Sequence, residues 1–223
     1  MIDPRKTDVS KILEQLLGGH ARTGVAGALA GGMLASKAGR KLGKKALKLG
    51  GLAAVGGVAW LAYDRYRRGD AGGAPLLQLV EGARRAGFLP PPADAQGAQE
   101  LGLVLIRAMI AAARADGKLD GRESDAIHRE IDELELGPDE KELLHAELSK
   151  PVDVDALVAA ATTPEIAADI YTASLLAIEL DTPAERAWLA MLAARLGLPD
   201  ALRDEIVRRV ADGDATAGDS GAS

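Results

Sequence analysis

Three carboxylates stand at the spacing that calcium-binding loops use, and they are the residues of this sequence best suited to ligand chemistry. Asp116, Asp120 and Glu123 match the fifth, ninth and twelfth places of an EF-hand loop. The first and third places would fall on Ala112 and Arg114, which carry no carboxylate. A complete EF-hand is therefore excluded. Half a loop remains as a candidate site for Ca²⁺ or another divalent cation, with helix capping by the same residues as the alternative.

Other catalytic and metal-binding signatures are absent from the sequence. There is no cysteine, which excludes disulfides, thiol catalysis and Cys-ligated zinc. His20, His128 and His145 stand apart and form no HExxH pattern, and there is no Walker loop or nucleophile elbow. Residues 71–223 carry a net charge of −14, which argues against a nucleic-acid-binding face. We therefore predict a protein that is not an enzyme and has no nucleic-acid partner.

The elements that must position these carboxylates begin after two uncharged apolar runs separated by a basic loop. The runs are Thr23–Ser36 and Leu49–Tyr63, and residues 1–70 carry a net charge of +8. Basic residues beside apolar ones are attracted to anionic lipid head groups. The second run ends in Trp60, Tyr63 and Tyr66, residue types that favour the membrane interface. We predict a membrane segment with the lipid bilayer as partner; the alternative is a soluble Ala/Gly-rich helical hairpin.

Small residues recur every four positions through the first run and beyond it. One row contains Gly27, Gly31, Ala35 and Gly39, and an adjacent row begins at Gly24 and continues with Ala28 and Gly32. On a helix such residues form a ridge that lets a second helix approach closely, as in membrane helix pairs. The ridge predicts a homo-oligomer, or packing of the first run against the second within one chain.

The fold class predicted from these patterns is all-α, with a glycine-rich membrane helical segment followed by a compact bundle of about seven helices. Thr163-Pro164 and Thr182-Pro183 each place a capping threonine before a proline, which is typical of a helix start. The predicted organisation is an N-terminal amphipathic segment at 1–22, the membrane segment with its basic loop at 23–68, a Gly/Pro linker at 69–95, the acidic helical domain at 96–212 and a disordered tail at 213–223.

The turns ADGKLDGRE and AIELDTPAERAWL, both between Leu101 and Ala211, resemble those of the TerB-like helical domain of tellurite-resistance proteins. The order of glycine-rich segment, basic loop, linker and helical domain is similar to that of the YebE-like inner-membrane proteins, a family of unknown function. The resemblance implies a bacterial inner-membrane protein whose helical domain is cytoplasmic. It also implies divalent-cation binding by acidic residues, which would correspond here to Asp116, Asp120, Glu123, Asp181 and Glu185. The second turn departs from the first, with Thr182-Pro183 in place of Gly117-Lys118.

Two classes of function follow from these observations. The first is a membrane-anchored, non-enzymatic interaction or scaffold protein that binds a protein partner, in an envelope-stress response. The second is a divalent-cation-responsive sensor built on the two Asp–Glu turns. Calcium titration of the helical domain distinguishes the two classes.

Overall fold

A computed structural model describes residues 7–18, 50–69, 76–115, 121–178 and 182–212. Throughout these ranges the chain is helical, with ten helices and no strand. The predicted all-α class is therefore confirmed for the described part of the chain.

The helices are α1 (Val9–Gly18), α2 (Gly51–Arg68), α3 (Leu76–Arg85), α4 (Ala95–Ala113), α5 (Gly121–Glu133), α6 (Pro138–Leu148), α7 (Val154–Ala160), α8 (Pro164–Leu176), α9 (Pro183–Arg195) and α10 (Asp200–Asp212). Seven of them, α4 to α10, lie in the region where seven were predicted. The helix starts read from Thr-Pro pairs are also confirmed, because the side chain of Thr163 accepts a hydrogen bond from the Ile166 amide and Thr182 accepts one from Glu185.

Helices α2 and α8 lie at the centre of the described bundle. Helix α2 packs against α1, α3, α8 and α10, and α8 packs in addition against α4, α7 and α9. Every residue of α8 from Ala167 to Leu176 is buried, as is most of α2 up to Ala62. A helix that is apolar on nearly every face needs neighbours on nearly every side, and these two have them.

The prediction that the second apolar run spans a bilayer is not supported. Residues 51–63 of this run form most of α2, whose surroundings are other helices of the same chain. In the described residues no helix combines the length and the apolar composition that a membrane span requires. The second apolar run has 15 residues, fewer than the roughly 20 that a membrane span needs. Short apolar runs are more often buried core helices. The first run and the ridge residues Gly24, Gly27, Gly31, Ala35 and Gly39 lie outside the described residues, so the small-residue ridge stays a prediction.

Glycine at the start of α2 permits a close approach between two helices. A Cβ on Gly51 would lie 2.5 Å from Cβ of Leu13 and closer than 3.0 Å to the backbone nitrogen of Glu14. Helix α1, whose residues Val9, Ile12, Leu13, Leu16 and Leu17 are all buried, thus crosses directly over the start of α2. The absence of a side chain at Gly51 is what permits this crossing.

Helices α2 and α3 pack closely side by side. Cβ atoms on Gly57 and Gly82 would collide with the side chains of Leu79 and Trp60, so glycine permits the close approach at both positions. Helix α3 lies within the predicted linker, and Phe88 and Leu89 after it are buried. Part of the segment predicted as a linker therefore contributes to the core.

Candidate interaction surfaces

The residues predicted to bind a divalent cation fall mostly outside the described part of the chain. Asp116, Asp120 and Asp181 lie outside it, and Glu123 lies in the first turn of α5. Glu185 is described, and its carboxylate forms a capping box at the start of α9. Its Oε2 accepts hydrogen bonds from the backbone N–H of Thr182 at 3.0 Å and from the Thr182 hydroxyl at 2.9 Å. At Glu185 the carboxylate therefore caps the first turn of a helix, which is the alternative to metal binding.

Within the described ranges no group of three or more metal-ligating side chains is assembled. Metal binding is therefore not supported by this part of the structure, and the half loop at Asp116, Asp120 and Glu123 stays a prediction.

We expect millimolar CaCl₂ to leave the melting temperature of the full chain unchanged, because Glu185 is already engaged as a cap and the half loop lacks two EF-hand ligands. Differential scanning calorimetry against MgCl₂ at matched ionic strength measures this. A calcium-dependent rise that disappears in an Asp116→Asn/Glu123→Gln variant would contradict the expectation and support the sensor.

A largely apolar groove of about 340 Å³ lies between α4, the end of α6 and α7. We call it the α4–α7 groove. Its apolar walls come from Val104, Ile110 and Ala111 of α4, Val152 of the connecting loop, and Ala156, Leu157 and Ala160 of α7. Val152 is 38% exposed and is one of two large hydrophobic residues exposed in the described chain. A concave apolar surface with an exposed aliphatic side chain is a candidate binding site.

Three charged side chains form one rim of this groove. The guanidinium of Arg107 donates to both carboxylate oxygens of Glu147, with Nε–Oε2 at 2.8 Å and Nη2–Oε1 at 3.1 Å. Lys150 donates to Oε1 of the same carboxylate at 2.6 Å. Glu147 has a side chain only 3% exposed, whereas those of Arg107 and Lys150 are 43% and 53% exposed. At this rim the cations face solvent and the anion that orients them is buried.

The electrostatics of Glu147 agree with this geometry. Burial by itself raises the pKa of the carboxyl, but hydrogen bonds from Arg107 and Lys150 and their positive charges outweigh it and leave the pKa lowered. The hydrogen bond to Glu147 likewise raises the pKa of Arg107. The rim therefore stays ionised near neutral pH, and its bidentate Arg–carboxylate pair is geometrically specific.

Two further polar clusters were missed by reading the sequence. Nδ1 of His128 and Nδ1 of His145 lie 2.5 Å apart with the rings stacked, and Nε2 of His145 lies 3.1 Å from Asp132. The sequence pattern predicts no contact between these two histidines. The signal that was available is that α5 and α6 are consecutive helices, which commonly pack as a hairpin.

The other missed group is the buried carboxyl of Asp169 in α8. It is fully buried, and among the described residues neither of its oxygens has a hydrogen-bond partner, nor does the hydroxyl of Thr172 one turn further on. Burial, and secondarily the charge of Glu165, raise the pKa of Asp169 well above its ordinary value. An acid in such a place is held in its neutral form over a wider pH range. The signal available in the sequence is that mostly apolar residues surround Asp169 within this helix.

These features define an all-helical bundle whose described residues offer binding surfaces. The chain belongs to a family described as a protein of unknown function, DUF533, whose model matches residues 16–210. It is also similar to the "uncharacterized protein in ampR 5'region" of Yersinia enterocolitica, with 28% identity over 102 residues, 46% of this chain and 73% of that protein. No solved structure gives a significant match. The family match agrees with the predicted kinship to proteins of unknown function, while the TerB-like and YebE-like likenesses stay predictions.

Proposed function

We propose that the protein is a non-enzymatic interaction protein that binds an apolar segment of a protein partner in the α4–α7 groove. The observation that carries the proposal is the groove itself, an apolar surface with exposed Val152 and with the charged residues Arg107, Lys150 and Asp153 exposed at its edge. A volume of 340 Å³ is at the lower end of the range for ligand pockets, roughly 300 to 1,000 Å³, and suits one or two anchoring side chains. The buried centre of an interface carries most of the binding energy, which fits a site of this size.

The rim favours a partner segment with a carboxylate beside its apolar anchors. Arg107 and Lys150 present their charge to solvent, while Glu147 beneath them is shielded. Arg114 adds a further cation nearby, where its Nη1 donates to the carbonyl of Lys150 at 2.8 Å. Electrostatic complementarity of this kind contributes mainly to specificity and to the association rate.

The absence of catalysis is part of the same proposal. The charged groups of the rim satisfy one another, which suits a binding role better than an acid–base one.

We further propose that the protein acts as a scaffold at the bacterial inner membrane with its helical bundle in the cytoplasm, on the strength of its likeness to the YebE-like and TerB-like proteins. A role in envelope stress belongs to this proposal.

Site-specific photo-cross-linking tests the groove. A photoreactive side chain at Val152 is expected to capture one defined segment of a membrane-fraction protein, and the same group at Ala190, exposed on α9, is the control. A synthetic peptide of the captured segment should then bind the wild-type chain at least tenfold more tightly than a Val152→Glu/Ala156→Glu variant, a difference of about 1.4 kcal/mol.

Both substituted side chains in that variant are exposed, so the fold should survive the change. Ala190→Glu is the matched binding control and should leave the peptide affinity unchanged. Equal capture at Val152 and Ala190, or equal affinity of the groove variant and the wild type, would contradict the proposal.

A further inference from the structure

A second, more polar cleft of about 760 Å³ lies between α2 and α3. We call it the α2–α3 cleft. The lining residues that matter for its chemistry are Trp60, Tyr63, Asp64, Arg67 and Arg68 of α2, and Arg85 of α3. Three of these are cations and one is an anion, so the lining carries a net charge of +2 in a chain whose net charge is −6.

Two of the three cations have no carboxylate partner among the described residues. Arg68 pairs with Asp64 at 2.9 Å, whereas the guanidinium of Arg67 lies 5.7 Å from the ring centroid of Tyr63. Nε of Arg85 donates to the backbone carbonyl of Glu81 at 3.3 Å. Arg67 and Arg85 are both exposed and therefore available to an anion from solvent.

Helix ends explain part of this charge but not all of it. Arg67, Arg68 and Arg85 stand in the last turns of α2 and α3, where cations stabilise the partial negative charge of the terminal carbonyls. Each end carries only about half an elementary charge, and the cleft keeps a positive excess.

Aromatic side chains accompany the cations. The indole of Trp60 lies so close to α3 that a Cβ on Gly82 would be 2.5 Å from it, and Trp60 is partly exposed. Tyr66, 43% exposed, is the second of the two exposed large hydrophobic residues, and its ring centroid lies 6.4 Å from that of Tyr63. Tryptophan and tyrosine beside arginine are typical of surfaces that sit at the level of lipid head groups.

We propose that the α2–α3 cleft binds the phosphate groups of an anionic bilayer surface, with Arg67 and Arg85 as the recognising cations. In this proposal Trp60, Tyr63 and Tyr66, whose residue types predicted a membrane interface, contact the surface of the bilayer. Helix α2, which carries them, stays packed in the protein core. The exposed cations of the cleft are complementary to lipid phosphates, and the partly exposed Trp60 and exposed Tyr66 beside them favour a lipid surface. The inference needs no protein partner, so it stands or fails separately from the α4–α7 groove.

The test uses the full chain in a Trp188→Phe background, in which Trp60 is the single tryptophan. Titration with phosphatidylglycerol/phosphatidylcholine vesicles should change the Trp60 emission and sediment the protein, while pure phosphatidylcholine vesicles should do neither. Each cation near an anionic surface contributes about a fivefold factor, so Arg67→Gln/Arg85→Gln should weaken partitioning by about 30-fold. The segment containing Lys37 to Lys48 is the same in every variant and cancels in the comparison.

An Arg195→Gln/Arg203→Gln variant is the matched control, because it also removes two positive charges. These two arginines lie outside the α2–α3 cleft and are paired with Asp155 and Asp200. It should partition like the wild type. Equal weakening of both double variants would show a general charge effect and overturn the proposal, as would vesicle binding without a Trp60 response. A Trp60 response to soluble glycerol phosphate alone, with none to vesicles, would assign the cleft to a free phosphate ester instead.

Discussion

Replacing Gly51 with alanine is expected to lower the free energy of unfolding by about 3 kcal/mol. In an exposed helix the same change would stabilise by about 0.5 to 1 kcal/mol, because alanine has the higher helix propensity. At Gly51 the new Cβ would collide with Cβ of Leu13 and with the backbone of Glu14, and backbone cannot move aside as a flexible side chain can. Urea unfolding followed by circular dichroism at 222 nm measures the difference.

Gly137→Ala is the matched control for this experiment. A Cβ there would meet only the end of the flexible Glu140 side chain, so we expect a loss of about 1 kcal/mol or less, from the poorer helix cap. If Gly51→Ala were neutral or stabilising, α1 would not cross α2 at the distance described here. The small-residue explanation for this crossing would then be wrong.

Asp169→Asn is expected to stabilise the protein at alkaline pH and to leave it nearly unchanged near pH 4. The pKa of Asp169 is raised in the folded state, chiefly by burial, so the folded protein holds a proton that the unfolded chain releases near the ordinary carboxyl pKa of about 4. Wild-type stability therefore falls as the pH rises from about 4 to the raised pKa. The slope of this loss is at most about 1.4 kcal/mol per pH unit, and asparagine removes it.

The difference between variant and wild type isolates this one group. Glu147 has the opposite behaviour, because its lowered pKa makes stability fall on acidification, but it contributes equally to both proteins and cancels. Chemical unfolding at several pH values between 4 and 9 should show a difference that grows with pH. A difference independent of pH would mean that Asp169 is ionised in the folded state at all these values and has a partner that the described contacts do not include.

The sequence was sufficient for the helices and their starts, because caps and helical periodicity are local properties. Thr163 and Thr182 marked the first turns of α8 and α9 through the same side-chain hydrogen bonds that the structure contains. The preference of α1 for burial could also be read from its apolar spacing, since Val9, Ile12, Leu13, Leu16 and Leu17 lie on one side of a helix.

What surrounds the second apolar run was decided by the tertiary structure alone. A lipid bilayer and a protein core are both apolar, and a short uncharged run such as Leu49–Tyr63 suits either, so its composition could not choose between them. Helix α2 is buried because α1, α3, α8 and α10 cover it. The Arg107–Glu147 pair joins residues 40 positions apart, and the His128–His145 contact joins residues 17 apart. Both depend on how helices pack rather than on local spacing, which is why no pattern in the sequence revealed them.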